Sequence, residues 1–316
     1  MPRTRPIAAA LTEDDGQVAT VLKRLPENAR RLLGQHEVDA PACWAEQDGL
    51  GLPRPVRRFV HIGEANLVLE VATNDQGNLR IRREAYGRSW AAANQIPTAA
   101  LYGYSSRGEW SLGEWVKPHP AAGPEQRWPH WDAYLDDAAR TVDLIAAAAA
   151  PRSGPVAAVW RSPRRSRFAR TVRGVAAGMP TRLWWATRSA VAKLPTVPVS
   201  HGDFYSRNVL WHNTSRVCVI DWEYLGEGPR YGDRLRFWSV LPTRSRREAW
   251  LNWIMASTPE RHHGHIALLA LWYSLRRIGE NVKAPKAHRN PADTEHAWSV
   301  LPEAKALAKS TGVYPL

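Results

Sequence analysis

Two cysteines in 316 residues, Cys43 and Cys218, leave no material for a disulfide framework or a zinc site. Long apolar runs are missing as well. No stretch approaches the roughly 20 residues that span a bilayer, and the mean hydropathy is −0.43. The opening MPRTRPIAAALTEDD has an apolar core of only IAAAL, too short for a secretory leader. These absences point to a cytoplasmic protein, and a hydrophobic content of 44% is enough for a packed core. Two further gaps are local: no lysine lies between Lys23 and Lys117, and no Asp or Glu from Leu144 to Gly202.

The most informative stretch follows the second gap: Val199 to Glu223, VSHGDFYSRNVLWHNTSRVCVIDWE. It places Asp203 two residues after His201, Asn208 five residues further on, and Asp221 at the end of the apolar run VCVID. One carboxylate can accept a proton from a substrate hydroxyl. An amide oxygen and a second carboxylate are hard ligands of the kind Mg²⁺ takes, with substrate phosphates filling the remaining positions. Phosphoryl transfer from a nucleotide needs mostly positioning and neutralised charge, and this set supplies both. The spacing predicts a loop at 203–207, a short strand over Asn208–Trp211, a turn at His212–Ser215 and a strand from Arg216 to Ile220. A hairpin of that kind accounts for the 18-residue separation of the two aspartates. Each element alone has an ordinary explanation, such as a turn, a helix cap or a strand end. Their combination in this order is more specific.

HGDFYSRN followed by VIDWE resembles the aminoglycoside phosphotransferase and choline kinase family. The resemblance implies an α+β, two-lobed protein-kinase-like fold with a small antiparallel β-rich N-lobe and a larger, mainly helical C-lobe. It implies Asp203 as catalytic base, Asn208 and Asp221 as Mg²⁺ ligands, His201 as a structural loop residue, and Asp233 in GPRYGDRLRFW as a helix-start Asp bracing the loop. ATP and Mg²⁺ are the implied cofactors, and a small-molecule hydroxyl is the implied acceptor. An antibiotic-modifying kinase is one alternative. A non-catalytic relative that binds through its basic segment is another. The family order runs from about Arg57 to Tyr273 and is specific only in the C-terminal half.

The expected organisation is an N-terminal helical segment over 1–56, a nucleotide-binding N-lobe and hinge over 57–120, and a helical C-lobe over 121–316. The C-lobe contains the catalytic loop (199–223) and a basic insert (152–195). In the first segment, Thr12 to Asp15 looks like a helix start, and Val18, Val21, Leu22 and Leu25 follow at helical spacing. The next predicts a turn at Gly63, a strand at Leu67–Val71, a turn at Asn74–Asn78, a strand near Leu79–Arg83 and a helix over REAYGRSWAAAN. Gly63 to Asn66 resembles the family's nucleotide-covering loop, and the strand EWSLGEWV resembles the hinge, with the backbone at Glu114 and Val116 holding the base. The lysine that kinase-like folds place on a small-lobe strand has no counterpart. Arg82 (or Arg80) stands in for it, with Glu84 as partner, although a planar fork is not a compact ammonium. Tyr205 occupies a position where the family often has His or Lys.

Charge is the remaining signal. The chain carries +13, and ten Lys or Arg between Arg152 and Lys193 account for most of it. Phe168, Val172, Val175 and Met179 recur at helical spacing, which suggests an amphipathic basic helix between Pro163 and Pro180, and Trp184-Trp185 opens another. Such a face suits an anionic substrate, nucleic acid or an anionic membrane surface, while the ordinary explanation is solvation. Neither macromolecular partner is favoured, and no obligate protein partner is visible. The charge argues against a polycationic substrate, although Glu223, Glu227 and Asp233 offer local negative charge. Towards the C-terminus, Ile266 to Arg277 reads as a buried helix ended by Gly279, Pro285 to Pro291 as a loop, and Glu303–Lys309 as a last short helix.

Overall fold

A computed structural model of the chain describes residues 5–6, 27, 37–38, 43–47, 55–62, 66–116, 129–151, 178–212, 216–281 and 291–314. The chain divides into two compact units. The first comprises Met1–Lys117, Pro151–Ala157 and Cys218–Glu223, and the second the remainder.

The first unit is built on a five-stranded antiparallel sheet. Its strands in chain order are β1 (Cys43–Gln47), β2 (Pro55–Ile62), β3 (Leu67–Ala72), β4 (Leu101–Tyr104) and β5 (Trp110–Glu114), and their spatial order is β1-β2-β3-β5-β4. The apolar run of β3 takes a central place and buries all six residues. β4 lies at the edge, and its alternating exposure leaves Tyr102 and Tyr104 in solvent. Helix α1 (Asp75–Ala93) follows β3. Asn74 caps it, accepting from the Gly77 amide at 3.0 Å, and Asp75 in the first turn suits the positive helix end.

Helix α1 corrects the strand expected near Leu79–Arg83. Leu79 and Ile81 alternating with arginines imitate a two-residue period. Ile81 and Ala85 are nevertheless one helical turn apart and both fully buried, and the pattern runs on through Trp90. The Asn74 cap fixes the start, so NDQGNLRIRREAYGRSWAAA forms one helix instead of a strand and a helix. Cys43–Gln47 likewise forms a strand, where a helical segment was expected over 1–56. The helix expected from Thr12 to Leu25 and the turn at Gly63 lie outside the described residues.

The second unit contains helices α2 (Trp131–Ala147), α3 (Thr181–Val191), α4 (Gly232–Trp238), α5 (Arg244–Ala256), α6 (His263–Asn281) and α7 (Pro291–Ser310). Strand β6 (Thr196–Ser200) pairs antiparallel with β9 (Gly226–Pro229), and β7 (Val209–His212) pairs with β8 (Arg216–Val219), as the hairpin spacing predicts. The turn between β7 and β8 lies outside the described residues. Helix α6 is the hub and packs against α7, α3 and α4. Ile266, Leu269, Leu271 and Leu275 on it are fully buried. It continues past Gly279 to Asn281, and the C-terminal helix is 20 residues long rather than a short piece over Glu303–Lys309. Trp184 stacks on Trp272 with centroids 4.6 Å apart, so these two of the sixteen tryptophans serve packing. The expected basic helix between Pro163 and Pro180 lies almost wholly outside the described residues, as does the 285–290 loop. Among the described residues, no helix is long and apolar enough to cross a membrane.

Candidate active site

In the second unit, the loop after β6 is held from beneath by α4. Both oxygens of Asp233 accept from it: Oδ2 from the Ser200 hydroxyl (3.0 Å) and the His201 amide (2.7 Å), and Oδ1 from the Gly202 amide (2.9 Å). Burial pushes the Asp233 carboxyl up, while His201 and these donors pull it down less strongly. Gly202 turns the chain at φ +81°, a conformation glycine adopts without strain. His201 is fully buried and points inward; its Nδ1 accepts from the Asp203 amide at 3.3 Å, a structural task. Phe204, also fully buried, packs on Phe237 and against the His201 ring edge, pinning the loop to the core.

Asp203 is fixed on three sides. His201 takes its amide, Asn208 Nδ2 donates to its carbonyl at 3.0 Å, and Arg236 reaches its carboxylate. Arg236 donates from Nε to Oδ1 at 3.1 Å, and its Nη2 lies 3.0 Å from the same oxygen as an ion pair. The guanidinium also lies 5.0 Å from the centroid of the Tyr205 ring. The Asp203 side chain keeps 16% exposure, whereas Arg236 and Asn208 are buried. With the amide's donor end engaged by Asp203, its oxygen is the end that suits a hard cation, and the donor chemistry of Asn208 fits Mg²⁺.

Asp221 belongs to the first unit. Its φ of +62° is uncommon for a residue other than glycine, and such strain persists only where the surroundings enforce it. The enforcing group is Trp222. This fully buried indole donates to the Thr98 hydroxyl (2.9 Å) and the Val219 carbonyl (3.0 Å), and packs on Trp90. Gly87 of α1 lies against it so closely that a Cβ there would stand 2.9 Å from the Trp222 carbonyl oxygen and nearer still to its Cβ. Glu223 is buried and faces Arg80 at 3.8 Å. Glu223 and Asp233 are thus occupied internally and do not provide the local negative charge expected of them. Among the described residues, no group of three or more His, Cys, Asp or Glu is arranged to hold a metal.

The expected nucleotide residues separate into two places. Asn66, at φ +49°, accepts through its carbonyl from the Trp115 amide at 2.7 Å, and Leu67 pairs with Glu114. Asn66, Glu114 and Val116 therefore gather at one end of the sheet. The amides of Glu114 and Trp115 donate to the Ala100 and Asn66 carbonyls. Gly63 lies outside the described residues. Arg82 is on helix α1, exposed, with its stem beside Gly108 in the β4–β5 turn. That turn lies at the far end of β5, about 13 Å from Glu114 at the rise of a strand. The expectation of Arg82 on a strand, paired with Glu84, is corrected on both counts.

The partner of Glu84 is Arg88, one turn on, with Nε 2.8 Å from Oε1 and both side chains buried. Arg88 also sits in the field of Glu70, the one ionisable residue of β3, and its Nη1 lies against Gly113 next to Glu114. Burial alone would pull this guanidinium down, but the two glutamates outweigh it and its pKa is raised. The strand thus carries the acid and the helix the cation, the reverse of the arrangement expected for a strand lysine. The Glu84–Arg88 pair was legible as an i,i+4 spacing. Neither Glu70 nor Arg236 carries a local signal, because their partners are distant in sequence.

The profile of the phosphotransferase enzyme family matches residues 54–265, and the chain belongs to that family. Its mixed helix-and-strand architecture is the protein-kinase-like fold. It is similar to a choline/ethanolamine kinase family protein from Mesorhizobium loti (15% identity, 83% of this chain and 88% of that one, TM-score 0.52). It is also similar to the choline kinase LicA from Streptococcus pneumoniae (15%, 83% and 92%, 0.51). A third likeness is to aminoglycoside phosphotransferase APH(2'')-Ib bound to ADP (13%, 92% and 100%, 0.54). At these identities the likeness concerns the fold. A search of curated proteins finds no match.

Proposed function

We propose that the protein transfers the γ-phosphoryl group of ATP to a hydroxyl of a small molecule. The observation that carries this is Asp203: its main chain is held at both amide and carbonyl, its carboxylate is oriented by Arg236, and it retains partial exposure on a loop braced by Asp233. Such immobilisation is what a reaction governed by positioning requires. Asp203 accepts the proton of the acceptor hydroxyl as that oxygen forms its bond to the γ-phosphorus and the bond to the β–γ bridging oxygen breaks. Asn208 and Asp221 are the residues that hold Mg²⁺, which when bound neutralises phosphate charge. The base is held at the sheet end defined by Asn66, Glu114 and Val116, with residues 57–120 as the nucleotide-binding part. Arg88, rather than Arg82, is the cation at that end.

Nucleotide binding tests the assignment of ligands. The Kd of a fluorescent ATP analogue should tighten with Mg²⁺ in the wild type, and Asn208→Ala and Asp221→Ala should abolish that Mg²⁺ effect while keeping metal-free binding. An Mg²⁺ effect that survives both substitutions would remove these residues from the metal site.

A further inference from the structure

Helix α4 presents two side chains to the loop it braces, three residues apart and so on one face. Asp233 binds the backbone of Ser200–Gly202, whereas Arg236 bypasses the backbone and binds the Asp203 carboxylate. Its grip is one-sided. Nε and Nη2 both reach Oδ1, and among the described residues no hydrogen bond engages Oδ2. The guanidinium is itself buried, lies over Tyr205, and rides on a helix whose backbone is tied by Ser239 Oγ to the Arg236 carbonyl (2.8 Å) and by Trp250 Nε1 to the Arg234 carbonyl (2.9 Å). This is a rigid fork, and an ammonium could not reproduce it.

We propose that Arg236 is a positioning residue that selects the acceptor. This rests on the assignment of Asp203 as base. By occupying Oδ1 it leaves Oδ2 to meet the acceptor hydroxyl, which fixes the angle of approach. By pairing with the carboxylate it also cancels the negative charge that would otherwise attract a cation. A second guanidinium, Arg276, lies 5.9 Å from the ring of Tyr273, whose hydroxyl feels both Asp203 and Arg236. Asp233, the carboxylate of α4, is buried and turned to the backbone. The α4 and α6 side chains around Asp203 are therefore neutral to positive, and the hydroxyl it accepts belongs to a neutral or acidic molecule with no ammonium beside the reacting oxygen.

The experiment compares wild type, Arg236→Gln and Arg236→Lys in Mg²⁺-dependent phosphorylation of three matched probes, glycerol, serinol (its amine counterpart) and glycerate, with fluorescent-ADP affinity and melting temperature recorded for each. The wild type should use glycerol or glycerate in preference to serinol. Arg236→Gln should lower kcat on the favoured probe by ~100-fold and raise the serinol-to-glycerol ratio by at least ~10-fold, the size expected from removing one unit charge about 12 Å away at an effective dielectric near 20. Arg236→Lys, which keeps the charge and loses the fork, should hold the ratio and lose ~10-fold in kcat. ADP affinity should stay within about 3-fold throughout. A merely structural arginine would lower all three rates together, and that unchanged ratio in a folded variant overturns the proposal, as does a wild type that prefers serinol. Should Arg236→Gln not fold, Arg236→Lys decides: wild-type kcat in it refutes the positioning role. A wild type that phosphorylates none of the probes and does not turn over ATP in water overturns the phosphotransferase assignment itself, and this inference with it. Turnover with an unshifted ratio in the variants overturns the inference alone.

Discussion

Replacing Arg88 by Met should be among the most damaging single changes in the first unit. Its guanidinium meets Glu84 at 2.8 Å and the field of Glu70, with all three side chains at most 6% exposed. Methionine fills comparable volume, so packing changes little, but two carboxylates remain buried without their cation. Breaking a buried pair in this way costs about 3–5 kcal/mol. Removing the acid too should relieve part of it, so Arg88→Met with Glu84→Leu should be less destabilised than Arg88→Met alone. Denaturant unfolding followed by tryptophan fluorescence reads this out, since Trp90 lies on the same helix and packs on Trp222. A loss under about 1 kcal/mol in Arg88→Met, or a double variant less stable than the single, would refute the account of this charge cluster.

Gly87→Ala pits helix propensity, worth about 1 kcal/mol in favour of alanine, against overpacking on Trp222 at about 1–3 kcal/mol. The net should be a lower Tm, and a higher one would show that Gly87 is not needed for the close approach. Asp233→Ala removes the carboxylate acceptor of two backbone amides and a hydroxyl, of which the Gly202 amide keeps Ser200 Oγ at 3.1 Å, and should cost about 3 kcal/mol, with faster amide exchange at His201 as the local signature. Burial, followed by Glu114, pushes the Cys218 thiol up to about 12. The unfolded thiol ionises near ~8.5 while the folded one does not, so its contribution is intact below that pH and is lost as pH rises toward 12. By pH 10 the wild type should lose about 2 kcal/mol more than Cys218→Ala, and the native thiol should resist a thiol reagent at pH 8. Tyr134 and Tyr273, whose hydroxyls burial also pushes up, act in the same direction at higher pH.

The fold was legible where local chemistry and tertiary packing agree. The β7–β8 hairpin, the central β3 and the buried α6 follow from apolar runs bounded by turn residues, whereas β5 follows from the resemblance of EWSLGEWV to a family strand. Leu79–Arg83 misled because five residues satisfy a two-residue period as readily as a helical one, and only the Asn74 cap and the longer Ile81–Ala85–Trp90 stripe decide between them. The loop around Asp203 could be placed from its motif, but the group that orients its carboxylate could not. Arg236 lies 33 residues away, and nothing in GDRLRFW separates it from its neighbour Arg234, which pairs instead with Asp143. The same holds for Glu70, hidden in an apolar strand, whose significance appears only when α1 folds back with Arg88.

The most direct test of phosphoryl transfer is the rate of γ-phosphoryl release from ATP by the wild type, with and without Mg²⁺, beside Asp203→Asn. The wild type should show Mg²⁺-dependent turnover and Asp203→Asn a loss of at least ~100-fold, with ATP affinity unchanged. Equal turnover in the two proteins would contradict the assignment of Asp203 as the base, and binding without turnover in the wild type under a broad range of hydroxyl acceptors would contradict phosphoryl transfer itself.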